Sequence, residues 1–376
     1  MGDLRELARR RVPRALFDYA DCGSYDELTL RRNRTALDAL VLRQRVMVDV
    51  SQLTLSTTLL GQPASLPLAI APTGLAGLFH RDGEICGARA AAAAGIPFTL
   101  STVSICSIED VRAACATPFW FQLYLMRDRG FNAELIARAH AAQCPVLMLT
   151  LDLPTQGLRR RDPKNGLAVP PRLTWRNVWD IAARPRWLRG VYLGKRRSFG
   201  NLQGRVAAHD GLTTLGQWIS SQFDPSMTWR DVEWVRAQWP GKLLVKGIMT
   251  AEDATAALAC GVDGMVVSNH GGRQLDSTAA TIEALPEVVN AVQGRCEMFL
   301  DGGIMSGQDV LKALALGARG ALIGKAFLYA LAAQGEQGVR GAIGLIREEL
   351  RVSMALTGRT DVRAIDGNIL QAGSRS

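Results

Sequence analysis

The feature that most constrains this chain is an alternation of short apolar runs with alanine-rich stretches, which repeats eight times. Each apolar run has the length of a buried strand, and most are followed by a stretch of helical character. Eight strand–helix units favour a parallel (β/α)8 barrel, although the pattern alone also allows an open doubly wound sheet. The predicted strands are residues 68–72, 97–101, 119–124, 145–152, 243–247, 264–269, 297–302 and 320–324.

The chain is long enough, at 376 residues, for one large barrel or for two ordinary domains. We predict one domain over 1–376, with a helical segment over 1–50 and the barrel over 68–335. An insertion over 153–225 separates the fourth strand from the fifth and is much longer than an ordinary connection. We expect it to be a lid, a membrane contact, an oligomer contact or a partly disordered segment.

The net charge of +9 is concentrated in this insertion, because residues 159–205 hold thirteen basic side chains and only two acidic ones. Trp175, Trp179, Trp187 and Tyr192 are interleaved with them. Aromatic and basic side chains together favour the headgroup region, so we expect residues 172–197 to dock on an anionic membrane surface. The alternatives are a lid over the active site and a nucleic-acid-like basic patch. No nucleic-acid-binding motif is present, and we predict no such partner.

The seven cysteines form no C-x-x-C pair, which is typical of buried thiols in a reducing cytoplasm and predicts no metal site. The N-terminus has the composition of a charged helix rather than of a signal peptide. No apolar run reaches the roughly 20 residues that a membrane-spanning helix needs. We therefore expect a cytoplasmic protein.

A polar motif, SNHGGRQLD at residues 268–276, follows the sixth predicted strand. In an α/β barrel the carboxyl ends of the strands are where active sites lie. Histidine can serve as a base, paired glycines let a ligand approach the backbone, and arginine can form two hydrogen bonds to a carboxylate. Considered alone, a polar loop with an incidental histidine explains the motif equally well.

On this motif the chain resembles the FMN-dependent enzymes that oxidise 2-hydroxy acids, a family that includes glycolate oxidase, mandelate dehydrogenase and the L-lactate dehydrogenases. The resemblance runs from residues 17–19 (FDY) to 356–358 (LTG). It is closest to the membrane-associated bacterial L-lactate dehydrogenases, through residues 99–104 (TLSTVS) and 121–124 (FQLY). It implies the barrel rather than the open sheet.

The resemblance implies that His270 is the catalytic base and that Asp152 orients it and stabilises its charged form. Without the resemblance, Asp152 would merely begin the turn that contains Pro154. Two arginines match the planar carboxylate of a hydroxy acid, and two tyrosines match family residues that contact its carboxylate and hydroxyl. These implied substrate contacts are Arg159, Arg273, Tyr19 and Tyr124.

No Gly-x-Gly-x-x-Gly fingerprint opens a helix after a strand, so a nicotinamide cofactor has no support and the resemblance implies FMN. Lys246 matches the lysine that stabilises the anionic reduced flavin. The other implied flavin contacts lie at the strand ends. They are Pro72, Thr73, Gly74, Ser101, Gln122, Thr150 and Ser268.

The FMN phosphate is expected after the seventh and eighth strands. The residues that match the family there are Asp301, Gly302, Gly303 and Gly324. Met305 stands where the family usually has arginine, and Lys325 replaces a second arginine. We expect weaker phosphate binding unless a neighbour such as Arg295 or Lys312 compensates, because a lysine offers a point charge rather than a planar set of donors.

The resemblance therefore implies an FMN-dependent dehydrogenase of (S)-2-hydroxy acids. Val103 stands where glycolate oxidases carry a bulky tryptophan and Gly74 is also small, so the resemblance implies a substrate larger than glycolate, with L-lactate first and mandelate second. Electrons would pass to a quinone or another membrane acceptor, with the enzyme peripheral on the inner face of the bacterial cell membrane as a homotetramer or larger homo-oligomer. An oxidase that uses dioxygen, and a non-redox barrel that binds a phosphorylated ligand, are the alternatives.

Overall fold

Eight parallel strands form the barrel; seven lie within the predicted runs, and the fifth extends one residue beyond its run at each end. This computed structural model describes residues 1–165, 175–194, 196, 198–202 and 222–371, apart from the side chain of Arg176. The strands are β3 (Leu68–Ile70), β4 (Thr99–Ser101), β5 (Trp120–Tyr124), β6 (Val146–Thr150), β7 (Lys242–Ile248), β8 (Gly264–Val267), β9 (Glu297–Leu300) and β10 (Gly320–Ile323). They follow the order β3-β10-β9-β8-β7-β6-β5-β4, and a parallel bridge between Ile70 and Phe98 joins the two ends. The predicted (β/α)8 barrel is confirmed.

The amino-terminal end of the barrel is filled by apolar side chains. A hairpin of β1 (Thr57–Leu59) and β2 (Gln62–Ala64) brings Leu59 and Leu60 into the same buried cluster as Met148, Phe299 and other inward residues of the strands. The Trp120 and Phe299 rings meet edge to face with centroids 6.2 Å apart. With this end packed, the carboxyl end remains for a ligand.

Helices follow most of the barrel strands, as the alanine-rich stretches predict. After the three N-terminal helices, the α-helices that surround the barrel or extend from it are Ala76–Phe79, Gly83–Ala94, Ile108–Ala114, Arg129–Ala141, Arg161–Lys164, Trp175–Ala182, Pro185–Trp187, Trp229–Gln238, Ala251–Ala259, Thr281–Val292, Gly307–Ala315 and Lys325–Leu356. Leu188–Tyr192 is a π-helical turn, and Gly200–Leu202, Val362–Ala364 and Gly367–Ile369 are 3-10 turns. Within the described ranges, no helix is both long and apolar enough to cross a bilayer. All seven cysteines are free thiols.

Three N-terminal helices, α1 (Gly2–Arg11), α2 (Arg14–Asp21) and α3 (Leu28–Ala39), contribute to the carboxyl end of the barrel. The Asp276 carboxylate accepts hydrogen bonds from the backbone N–H groups of Leu28 and Thr29, so it caps α3 from outside the helix. The side-chain amides of Asn33 and Asn269 exchange two hydrogen bonds of 2.8 Å. The motif after β8 therefore fixes α3 over the barrel.

The described part of the insertion is attached to the rest of the chain. The Trp187 indole donates to the Leu78 carbonyl over 2.7 Å, and the Asp180 carboxylate accepts from the backbone N–H of Arg14 over 2.6 Å. Arg196 pairs with two carboxylates, those of Asp82 and Asp110. Arg172, Lys195, Arg197 and Arg205 lie outside the described residues.

Candidate active site

A cavity of about 970 Å³ opens at the carboxyl ends of the strands, between the barrel and helices α1–α3. Most of the predicted site residues line it. These are Tyr19, Pro72, Thr73, Gly74, Tyr124, Thr150, Arg159, Lys246, His270, Arg273, Asp301, Gly302, Gly303, Gly324 and Lys325. Four others stand one layer behind the wall. They are Ser101, Gln122, Asp152 and Ser268, and each is buried or half-buried.

His270 and Asp152 form a pair at the substrate end of this cavity. The imidazole Nδ1 lies 2.9 Å from Asp152 Oδ1. Burial raises the pKa of Asp152, but the neighbouring His270 and Lys246 outweigh burial and hold it below its usual value. The carboxylate is therefore ionised and accepts the Nδ1 proton, which leaves Nε2 of a neutral imidazole as the basic atom. Gly247 makes the approach possible, since a Cβ there would lie 2.7 Å from Asp152 Cβ.

Two arginines lie over the ring of Tyr19 at the same end. The guanidinium carbon of Arg273 is 4.8 Å from the ring centroid and that of Arg159 is 5.2 Å away. Arg273 donates to the carbonyls of Tyr19 and Cys22 over 2.5 and 3.1 Å. Arg159 donates through Nε to Asp162 over 2.6 Å. Each guanidinium is thus anchored by part of its donor set, and the planar group is held in place for an anion.

The three consecutive arginines after β6 lie in different environments. Arg159 is 11% exposed and lines the cavity. Arg160 is exposed and pairs with Asp26. Arg161 lines the cavity as well, but its guanidinium pairs with Glu27 over 2.7 Å. Arg159, the implied substrate contact, is therefore the least exposed of the three.

Tyr124 places a phenol beside the pair. Burial and the nearby Asp152 charge raise its pKa, so the hydroxyl keeps its proton and remains a donor at neutral pH. Its ring meets Phe223 edge to face, with centroids 5.7 Å apart. Phe223 and Phe199 also line the cavity, and sequence reasoning missed both. Phe223 comes from the end of the insertion, which gave no pattern that could have placed it here.

Several buried polar atoms at the strand ends, from the predicted flavin, catalytic and phosphate residues, have no partner among the described residues. They are Gln122 Nε2, Thr150 Oγ1, Asp152 Oδ2 and Asp301 Oδ1. Leaving a buried polar atom unsatisfied costs roughly 1–3 kcal/mol, so a cluster of them at the ends of β5, β6 and β9 indicates a ligand-binding wall. The Ser101 hydroxyl donates to Gln122 Oε1 over 3.0 Å, so the oxygen of this amide is satisfied while its nitrogen is not.

Lys246 supplies a buried positive charge to this wall. Its Nζ donates to Ser268 Oγ over 2.7 Å and lies 3.1 Å from Asp301 Oδ2. Burial lowers the pKa of Lys246, but the carboxylates of Asp301 and Asp152 outweigh it and raise the pKa above its usual value. The ammonium is therefore charged and can stabilise negative charge on a group bound beside it.

The phosphate end of the cavity is a glycine turn after β9 together with the start of helix Lys325–Leu356. Gly302 and Gly303 have φ of 91° and 90°, and a Cβ at Gly303 would lie 2.9 Å from the Asn33 carbonyl oxygen of α3. Among the described residues, no acceptor takes the N–H groups of Gly302, Gly303 and Ile304. These amides and the helix N-terminus form a suitable site for an anion.

Of the positive charges considered for this end, Lys325 lines the cavity but is engaged by backbone carbonyls, and the other two lie elsewhere. Lys325 Nζ donates to the carbonyls of Asp21 and Cys22 over 2.7 and 3.0 Å, at the end of α2. Lys312 Nζ donates to the Leu37 carbonyl, and Arg295 donates to carbonyls at the end of its preceding helix. Neither Lys312 nor Arg295 lines the cavity. Neither is placed to compensate for Met305, because backbone carbonyls hold both away from the site.

Comparison with known proteins gives one family. The family described as FMN-dependent dehydrogenase matches residues 8–372. An L-lactate dehydrogenase of Caulobacter vibrioides is 50% identical over 369 residues, which cover 98% of this chain and 96% of the relative. An L-lactate dehydrogenase of Xanthomonas campestris pv. campestris is 47% identical over 375 residues, or 100% and 97% of the two chains. A crystal structure of (S)-mandelate dehydrogenase, described as a monotopic membrane protein, superposes with a TM-score of 0.93 at 37% identity and 98% coverage of both chains.

Proposed function

We propose, since this chain belongs to the FMN-dependent dehydrogenase family, that it oxidises an (S)-2-hydroxy acid, L-lactate in the first place, to the 2-oxo acid. The observation that carries the proposal is the His270–Asp152 pair facing two anchored arginines across one cavity. A base opposite a carboxylate-binding pair is the arrangement that oxidation of a hydroxy acid requires.

The residues of the flavin wall fit FMN. The orphaned Gln122 Nε2 and Thr150 Oγ1 match the polar edge of an isoalloxazine ring, and Lys246 supplies the adjacent cation. The glycine turn at 302–303 and Gly324 suit its phosphate. Bound FMN supplies the acceptor for the two electrons that leave the substrate.

The protein's own residues account for the remaining steps. Arg159 and Arg273 hold the substrate carboxylate, and Tyr19 and Tyr124 contact the carboxylate and hydroxyl. Oxidation breaks the O–H and Cα–H bonds and forms a C=O bond, with loss of two protons and two electrons in all. His270 Nε2 takes a proton, and ionised Asp152 stabilises the imidazolium that results.

The size of the substrate depends on the wall beside Gly74. A Cβ at Gly74 would lie 2.7 Å from Val103 Cγ2, so glycine lets Val103 pack against this wall. The resulting pocket suits a methyl group, and the relatives named L-lactate dehydrogenase support lactate. The structural similarity to (S)-mandelate dehydrogenase supports mandelate as the second candidate.

Anaerobic reduction of the purified yellow protein tests the proposal. L-lactate should bleach the flavin absorbance faster than (S)-mandelate or glycolate, with D-lactate as the stereochemical control. Faster bleaching by mandelate would reverse the order of substrates, and no bleaching by any hydroxy acid would refute the activity. Reoxidation by a soluble quinone and by dioxygen, measured in parallel, separates a dehydrogenase from an oxidase.

We also propose that the insertion docks on an anionic membrane, near a quinone acceptor. Helix Trp175–Ala182 carries an apolar stripe that points outward: Trp175 and Trp179 are 70% and 72% exposed, and Val178 is 55% exposed. An outward apolar stripe next to basic residues is typical of an interfacial helix. Trp187 and Arg196, which the sequence analysis included, contribute less because both are bound to the barrel.

Flotation with liposomes tests this docking. Trp175→Ser/Trp179→Ser should lose binding to anionic vesicles at low salt, while Leu345→Ser, an exposed apolar residue outside the insertion, should retain it. Equal flotation of both variants would contradict docking through this helix. A homotetramer or larger assembly stays a prediction, which sedimentation of the detergent-free protein tests.

A further inference from the structure

The phosphate end of the cavity has lost the arginine at position 305, and the remaining positive charges there are mostly committed to other groups. The arginine and lysine side chains that line the cavity fall into two sets. Those with a carboxylate, hydroxyl or carbonyl partner are Arg5, Arg34, Arg159, Arg161, Lys246, Arg273 and Lys325. Arg31 is the one cavity-lining arginine or lysine for which the described residues offer no partner.

Helix α3 brings Arg31 towards the phosphate end of the cavity. Arg34, one turn later, donates to the Gly303 carbonyl over 2.9 Å and to Asp309 Oδ2 over 2.8 Å. The same carboxylate oxygen accepts from the backbone N–H of Met305 over 2.9 Å. Residues three apart on a helix lie on one face, so Arg31 lies one turn before Arg34 on the face of α3 that meets this glycine turn, and its side chain lines the cavity.

Arg34 itself has no donor to spare. Its five N–H groups are used by five hydrogen bonds, to Asp38, Asp309 and the Gly303 carbonyl. It is therefore a positioning residue that fixes α3 on the glycine turn. Arg31 keeps its full set of donors and lines the cavity.

We propose that Arg31 binds the FMN phosphate and takes the place of the arginine that Met305 replaces. A guanidinium forms paired, charge-assisted hydrogen bonds with phosphate oxygens, which a methionine cannot supply. The backbone amides of the glycine turn approach the phosphate from the barrel, and Arg31 approaches it from α3. This inference rests on FMN being the cofactor, but not on which hydroxy acid is oxidised.

The test compares FMN with riboflavin, which lacks the phosphate, on protein stripped of cofactor. Quenching of flavin fluorescence gives the dissociation constants. Arg31→Met should weaken FMN binding on the order of 10- to 100-fold, as expected for a lost charge-assisted hydrogen bond, and leave riboflavin binding unchanged. The matched control is Arg32→Met, because Arg32 is the next residue of the same helix and pairs with Glu283. It should bind both flavins as the wild type does.

A double variant, Arg31→Met/Met305→Arg, should recover most of the lost FMN affinity. Equal loss of FMN and riboflavin affinity in Arg31→Met would assign Arg31 a structural role and overturn the proposal. Unchanged FMN affinity would overturn it as well. Failure of the proposed function would look different, because wild-type protein would then bind FMN and yet not be bleached by any hydroxy acid.

Discussion

At the substrate end of the cavity the charged side chains face the position of the reactants, whereas at the phosphate end most of them face the protein. His270 is held by Asp152, and Arg159 by Asp162, so each presents its remaining atoms to the cavity. At the other end Lys325 is bound to the carbonyls of α2, and Met305 offers no charge. Both ends contain charged side chains, but these point towards the reactants at the substrate end and mostly towards the protein at the phosphate end.

The difference follows from what each end must do. Proton removal depends on a reacting atom being placed within a few tenths of an ångström, so each reacting side chain needs a second group to hold it. A phosphate can be held by many combinations of amides and cations, since its charge is spread over several oxygens. Changes of residue type are therefore better tolerated at the phosphate end.

The largest effect is expected from the base. His270→Gln should lower turnover by ~10²–10⁴-fold, the usual loss for a general base, and retain FMN because residue 270 lies at the substrate end. Steady-state kinetics measure the turnover, and flavin absorbance measures the FMN that is retained. His140→Gln is the control, since His140 lies on an outer helix against Trp239. Near-normal turnover of His270→Gln would remove the histidine from the mechanism.

A smaller loss is expected when the base is kept but its support is removed. Asp152→Asn should lower turnover, though by less than His270→Gln does, because the neutral amide neither fixes the tautomer nor stabilises the imidazolium. Steady-state kinetics with L-lactate measure this loss. Wild-type turnover in Asp152→Asn would show that the negative charge of Asp152 is not needed.

The two ends also differ in how far the sequence predicts them. The barrel strands are continuous apolar runs, so the sequence pattern places them before the structure, whereas the roles of the substrate-site residues came from the family resemblance and not from the pattern. The hairpin β1–β2 was missed because its strands have three residues each and little apolar pattern. Which group Lys325 or Arg31 contacts depends on how α2 and α3 lie over the barrel, and no local pattern encodes that placement.

The affinity for FMN is expected to rise only a few-fold when the family arginine is restored at position 305. Met305→Arg should bind FMN more tightly than the wild type, and riboflavin equally well, because the new guanidinium shares one phosphate with Arg31. In the Arg31→Met background the same substitution should raise the FMN affinity by a larger factor. Equal gains in both backgrounds would show that the two arginines act independently.

The smallest effect is a dependence of FMN affinity on pH. Burial and the charge of Arg273 lower the pKa of Lys325 to about 7, so above that pH its amine is mostly neutral in the free protein. A phosphate bound at Gly324 and Lys325 favours the ammonium, so the complex holds more protons than the free protein. FMN affinity should therefore fall, by less than about tenfold per pH unit, as pH rises above about 7. Titrations between pH 7 and 9 measure this slope, with riboflavin and Lys325→Met as controls that should show none. A similar slope with riboflavin would mean that the phosphate is not what the lysine responds to.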